Sequence, residues 1–73
     1  MKTTDYFRDN VLLKRPYIRA DWCAAAIAHP LKREIQAEDG RNRHWGWIAE
    51  VGRHLRVVTL ADGETVHNAF YDN

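Results

Sequence analysis

Apolar positions recur in two rhythms along this chain. Up to about residue 30 they fall at helical spacing, and beyond it they alternate. Phe7 and Val11 stand at i and i+4, with Tyr6, Asn10 and Leu13 beside them, which predicts one helical face. Thr3-Thr4-Asp5 supplies a threonine N-cap and an acid for the first turn. Pro16 ends this helix, because the residue before a proline is steered out of the helical region. Lys14 and Arg15 then suit the negative end of its dipole. A connector through Ile18 leads to a second predicted helix, Ala20 to Ala28, whose stripe is Trp22, Cys23, Ala26 and Ile27. His29 suits its last turn and Pro30 stops it.

From here the pattern becomes that of strands. Four are expected: about Arg33–Ala37, Arg43–Glu50, Leu55–Leu60 and Thr65–Tyr71. Glu38-Asp-Gly-Arg41, Gly52-Arg53 and Asp62-Gly63 mark the turns, Asp-Gly being a strong hairpin signal. The expected fold is α+β: two N-terminal helices packed on one face of a four-stranded antiparallel β-meander, in one domain spanning residues 1–73. With two-residue loops, Ile48 would face Val57, Val57 would face Asn68, and Leu55 would face Phe70. Ile48, Leu55, Val57, Val66 and Phe70 would form the core face. Trp45, Trp47, Arg56, Val58, His67, Ala69 and Tyr71 would point the other way. A one-residue slip exchanges the faces of a strand.

At 73 residues the core is thin, with only about 60% of the unfolded surface buried on folding. The chain is 45% hydrophobic and 29% charged, as a globular domain should be. Eleven Lys and Arg against ten Asp and Glu leave a formal charge of +1. That is not the bulk balance of a nucleic-acid binder, but the distribution is uneven. Lys32, Arg33, Arg41, Arg43, Arg53 and Arg56 lie in the middle, while Asp5, Asp9, Asp62, Glu64 and Asp72 lie toward the ends. No apolar signal-peptide core follows Met1, and the longest apolar run, Trp22 to Ala28, is too short to cross a bilayer. A cytoplasmic location and no membrane partner are expected.

Four constellations carry candidate chemistry. The first is the aromatic and basic sheet face. Arg56, His67 and Tyr71 are suited to metal-free RNA cleavage, as groups that activate a ribose hydroxyl, stabilise the charged phosphorane and protonate the leaving oxygen. Trp45, Trp47, Arg43, Arg53, Lys32 and Arg33 would bind RNA or a partner protein around them. The competing reading gives the tryptophans to a core or a homodimer interface. The second is His44, His54 and His67, whose spacing brings no two together locally, so no metal is expected. The third is Cys23, read as a buried thiol; as a lone cysteine it can form no intramolecular disulfide. The fourth is Lys14, Arg15, Arg19, Lys32 and Arg33, which would gather at one edge and track a phosphate backbone if the helices fold back on the sheet. No phosphate loop, HExxH or GxSxG motif is present, and no cofactor is expected.

Lys14-Arg-Pro-Tyr-Ile18, Ala28-His-Pro30, Glu34-Ile-Gln36, Arg43-His-Trp-Gly-Trp-Ile48 and Gly52-Arg-His-Leu-Arg-Val-Val-Thr-Leu60 together resemble the DUF4258 family. That family is similar, at a distance, to RelE- and BrnT-type toxins of bacterial toxin–antitoxin pairs. The resemblance covers roughly residues 6 to 71 and is closest from Gly52 to Val58. It implies a RelE-like sheet with helices, and a ribonuclease that acts on mRNA, free or on the ribosome, with an antitoxin-like protein as partner. Only Arg56 carries over by position. Arg19 stands where the family has a capping Ser or Thr, and the chain is far less basic than RelE-type enzymes. Two readings follow: a metal-independent toxin-like ribonuclease, and a non-enzymatic interaction or homodimerising module that uses the tryptophan face. Sequence-tolerant nucleic-acid binding without cleavage lies between them.

Overall fold

The computed structural model describes residues 1–72. A π-helical segment, Phe7–Leu12, precedes α1 (Ala20–Ala28), β1 (Lys32–Ile35), β2 (Asn42–Ile48), β3 (Arg53–Thr59) and β4 (Val66–Tyr71). The strands form one antiparallel sheet in the order β1-β2-β3-β4. The fold is therefore α+β with a four-stranded meander. No helix among the described residues is long and apolar enough to cross a membrane.

Thr4 caps the first helical segment. Its Oγ1 accepts the Phe7 N–H at 3.1 Å, and its carbonyl accepts the Arg8 N–H. The segment then departs from the expected α-helix. Leu13 N–H reaches back five residues to the Arg8 carbonyl, and Phe7–Leu12 is wound as a π-helix. Phe7 and Val11 are nevertheless both fully buried. The same N-terminal stretch does something the alternation pattern did not reveal. Thr3 bridges Val66 in parallel, Thr4 N–H donates to the Val66 carbonyl, and Val66 N–H donates to the Lys2 carbonyl. Residues 2–4 thus satisfy backbone groups at the start of β4, which is an edge strand.

α1 has the expected bounds, with Cys23 and Ala26 buried and Trp22 and Ile27 packed beside the core. It lies against β2 and β3. The approach is close because both partners are small. A Cβ added to Gly46 would stand 2.9 Å from Ala26 Cβ and 3.1 Å from Ala26 Cα. Phe7, Val11, Ile18, Cys23, Ala26, Ile48, Leu55, Val57, Val66 and Ala69 make one contiguous core.

The hairpins correct the expected register. Ile48 pairs with Arg53, so Ala49–Gly52 form a four-residue loop that ends on Gly52 at φ +62°. The pairing moves by four positions from the Ile48–Val57 expectation. Four is even, so Ile48, Leu55 and Val57 stay on the core face and Trp45, Trp47 and Arg56 stay on the other. Asp39-Gly40 and Asp62-Gly63 also sit within longer loops, closed by Gln36 with Arg41 and by Leu60 with Thr65. Aspartate side chains organise both. Asp39 Oδ1 accepts the Arg41 N–H, and Asp62 Oδ1 accepts the N–H groups of Glu64 and Thr65. Such Asx bonding builds the turn from the side chain and removes the need for a two-residue loop.

In β4 the faces are exchanged. Val58 pairs with Asn68 but Thr59 pairs with Val66, so the register shifts at a bulge and His67 becomes the extra residue. Val66 remains inside as expected, but beyond the bulge Ala69 and Tyr71 join the core face and Phe70 turns outward. The bulge lets Val66 and Ala69 be buried together although they stand three positions apart.

The Gly46–Ala26 approach yields a stability prediction. Gly46→Ala forces α1 away from β2 against backbone as well as side chain, and should destabilise the protein by about 1–3 kcal/mol. Urea unfolding measures it. An unchanged midpoint would show that the helix–sheet distance is not constrained here.

Candidate nucleic-acid interface

With α1 on one face of the sheet, the opposite face presents its side chains in transverse rows. Lys32 pairs with Trp45, Trp45 with Arg56, and Arg56 with Phe70, so one row crosses all four strands. Cations and rings alternate along it. Lys32 Nζ lies 4.9 Å from the Trp45 ring centroid, Arg56 Cζ lies 5.3 Å from the same ring, and Arg56 Cζ lies 4.8 Å from Phe70. Each contact places a positive charge against an aromatic quadrupole, worth roughly 0.5–1 kcal/mol where water still reaches it.

Asp72 closes the row. Its Oδ2 accepts hydrogen bonds from Arg56 Nε at 3.1 Å, from the second terminal nitrogen of Arg56 at 2.5 Å, and from Trp45 Nε1 at 2.9 Å. Its backbone N–H donates to the His54 carbonyl, which extends the β3–β4 pairing by one residue. Donation by the Trp45 indole, then by Arg56, holds the Asp72 carboxyl below its ordinary value of 3.8. Leu31, Lys32, Trp45, His54, Arg56 and Asp72 line a shallow groove of about 450 Å³. Beside it, Trp47 is 52% exposed and meets the His54 ring edge-on at 4.9 Å. The next row runs Glu34–Arg43–Val58–Asn68. Arg43 donates to Gln36 Oε1 at 2.9 Å, and Glu34 lies 3.3 Å from Lys32 and 3.8 Å from Arg43.

Lys32, Arg43, Trp45, Trp47 and Arg56 therefore share the uncovered face, as expected. Arg53 and Arg33 do not join them. Arg53 heads β3 in register with Ile48 and lies over the Tyr71 ring at 4.6 Å, while Arg33 pairs with His44 in the row facing the helix side. The trio Arg56, His67 and Tyr71 is not assembled. Tyr71 lies on the core side of the bulge, where its hydroxyl donates to the Tyr17 carbonyl. His67 is the bulge residue. Its Nδ1 hydrogen-bonds Thr4 Oγ1 at 3.0 Å, and Tyr6 stacks on its ring. The basic edge is dispersed as well. Arg15 donates to the Ala69 carbonyl of β4, whereas Lys32 and Arg33 belong to β1 at the opposite edge.

The histidines are likewise apart. His44 is buried, shares a 3.1 Å hydrogen bond from Nε2 to Thr59 Oγ1, and has no partner for Nδ1 among the described residues. Among the described residues no three His, Cys, Asp or Glu side chains converge as metal ligands would. Cys23 is buried as expected, and burial pushes its thiol up to about 12, so it stays protonated at neutral pH. His54, Phe70 and Asp72 are site residues that the sequence reading missed. Once the bulge is placed, 68, 70 and 72 fall on one face by simple alternation.

The comparisons with known proteins returned no match: no family model, curated protein or solved structure aligns with this chain.

The titrating groups separate by pH. Burial, with the nearby Arg33 charge, lowers His44 from 6.5, and burial followed by Arg41 lowers His67 from the same value. The unfolded chain thus takes up protons first. Stability is fully present above pH 6.5 and is lost as pH falls through the folded values. The depressed carboxylates Asp39, Asp62 and Asp72 act only below 3.8, and Asp62 lies at about 2. Thermal midpoints should therefore drop between pH 7 and 5, before the carboxylates titrate, and His44→Gln should reduce that drop. A flat profile over this window in the native chain would contradict the buried placement of His44.

Proposed function

We propose that the protein binds single-stranded RNA on the uncovered sheet face and does not cleave it. The observation that carries this reading is the row of alternating cations and aromatic rings on an open antiparallel sheet, flanked by the exposed Trp47. Base stacking on aromatic side chains and phosphate contacts from Lys or Arg are the two requirements for sequence-tolerant single-strand binding. Trp47 supplies a ring that solvent reaches, while Lys32 and Arg43 supply charge. Their partner Glu34 is 46% exposed, so these pairs are weak and exchange readily for phosphate.

The RelE- and BrnT-type resemblance supports the same ligand class, mRNA. It would also bring cleavage, but the dispersal of Arg56, His67 and Tyr71 leaves that step without a shared phosphate position. The near-neutral charge makes the binding modest, with two cations outside the Asp72 clamp, Lys32 and Arg43, on this face among the described residues.

One observation favours a second reading, a protein partner or a second copy at the seam between β2 and the end of α1. Leu31, 69% exposed, and Trp47 line one depression there together with Ala25, Ala26 and His29. A concentration-dependent dimer by sedimentation, abolished by Trp47→Ala, would replace the RNA reading.

Titrating a ten-nucleotide oligouridylate should quench tryptophan fluorescence. The logarithm of the binding constant should fall with the logarithm of salt at a slope of about −1.4, from two phosphates at about 0.7 each. Trp47→Ala should weaken binding about tenfold, and the RNA should stay intact on a denaturing gel. Absence of binding at low salt would end the proposal, and cleavage relieved by Arg56→Ala would restore the ribonuclease reading.

A further inference from the structure

We propose that the Asp72 carboxylate is a built-in competitor that occupies the anion position of the uncovered face and keeps an RNA phosphate out of it. The inference rests on the RNA-binding reading and adds its regulation. Three N–H donors converge on one oxygen, Asp72 Oδ2: two from Arg56 and one from the Trp45 indole. A guanidinium fork with an added indole donor fits a phosphate oxygen as well as a carboxylate oxygen. The donors are positioned independently of Asp72. Arg56 is flanked by the Trp45 and Phe70 rings, and Lys32 lies on Trp45. Removing the carboxylate therefore leaves a formed anion site with a cation at its centre.

The block is made by the Asp72 side chain alone. Its main chain is fixed by the N–H bond to the His54 carbonyl, so a change of side chain alone vacates the position. The side chain is 34% exposed, so solvent and ligand reach it from the groove. Glu34 plays no equivalent part, because Lys32 and Arg43 approach its two different oxygens at 3.3 and 3.8 Å and, among the described residues, no donors converge on one of them. With the carboxylate in place Arg56 is withheld from phosphate, and RNA binding on this face is left to Lys32, Arg43 and the Trp47 ring.

The test compares the native chain with Asp72→Asn and Asp72→Ala, each shown to be folded by circular dichroism, in binding the ten-nucleotide oligouridylate. Both variants should bind about tenfold more tightly at low salt. Their salt slopes should steepen by about 0.7, because Arg56 now takes a third phosphate. Adding Arg56→Gln to Asp72→Asn should return the slope to the native value, which a merely structural role for Asp72 would not do. If the native chain binds and both variants bind equally or less tightly at an unchanged slope, the competitor role is overturned and the RNA reading stands. If neither the native chain nor any variant binds, both fall. Should Asp72→Asn not fold, Asp72→Ala alone carries the comparison, through its slope against that of the native chain.

Discussion

The stacking of Arg56 between Trp45 and Phe70 organises a sheet face that has no layer above it among the described residues. A four-stranded sheet covered on one side must still place rings at the centre of its other side in contact with water. This chain does so by intercalating charge. Arg56 lies between Trp45 and Phe70, and Asp72 ties that guanidinium to the Trp45 indole. The clamp joins residues on β2, β3 and the extension of β4, so it links three strands through side chains as well as the backbone ladder. The charged edge strand β1, with Lys32, Arg33 and Glu34, discourages a further strand from adding beside it.

On the other face the constraint is steric. A chain this short has few large core residues, and the structure compensates by bringing α1 close to the sheet over Gly46. Cys23 belongs to this packing, and its high thiol value follows from burial. The N-terminal residues contribute twice: Phe7 and Val11 fill the core, and Lys2 to Thr4 bond to the start of β4. His67 connects that segment to the bulge through Thr4 and Tyr6, which gives it a structural task on its own side of the molecule.

Much of the architecture was legible in the chain. The bounds of α1 follow from its alanines and Pro30, and four strands follow from alternation and glycine turns. The faces of β2 and β3 survived an error in loop length because the error was even. β4 did not, because a bulge is a local decision between burying Val66 with Ala69 and keeping strict alternation, and alternation alone does not reveal it. That single residue exchanged Phe70 with Tyr71 and hid Asp72 from the site. The π-helical winding was also hidden, since Phe7 and Val11 satisfy a helical face in either form. Lys32, Trp45 and Arg56 were legible as neighbours because adjacent strands and parity suffice to align them.

The proposed RNA surface is the sheet face that carries Trp45, Trp47 and Arg56, and not the face beneath α1. Mapping amide, indole and guanidinium NMR shifts during oligouridylate titration tests it directly. The prediction is perturbation of the Trp45 and Trp47 Nε1–H signals and the Arg56 Nε–H signal, with Ala24, Ala28 and Cys23 unmoved. Shifts concentrated on α1, or no shifts at saturating RNA, would contradict it.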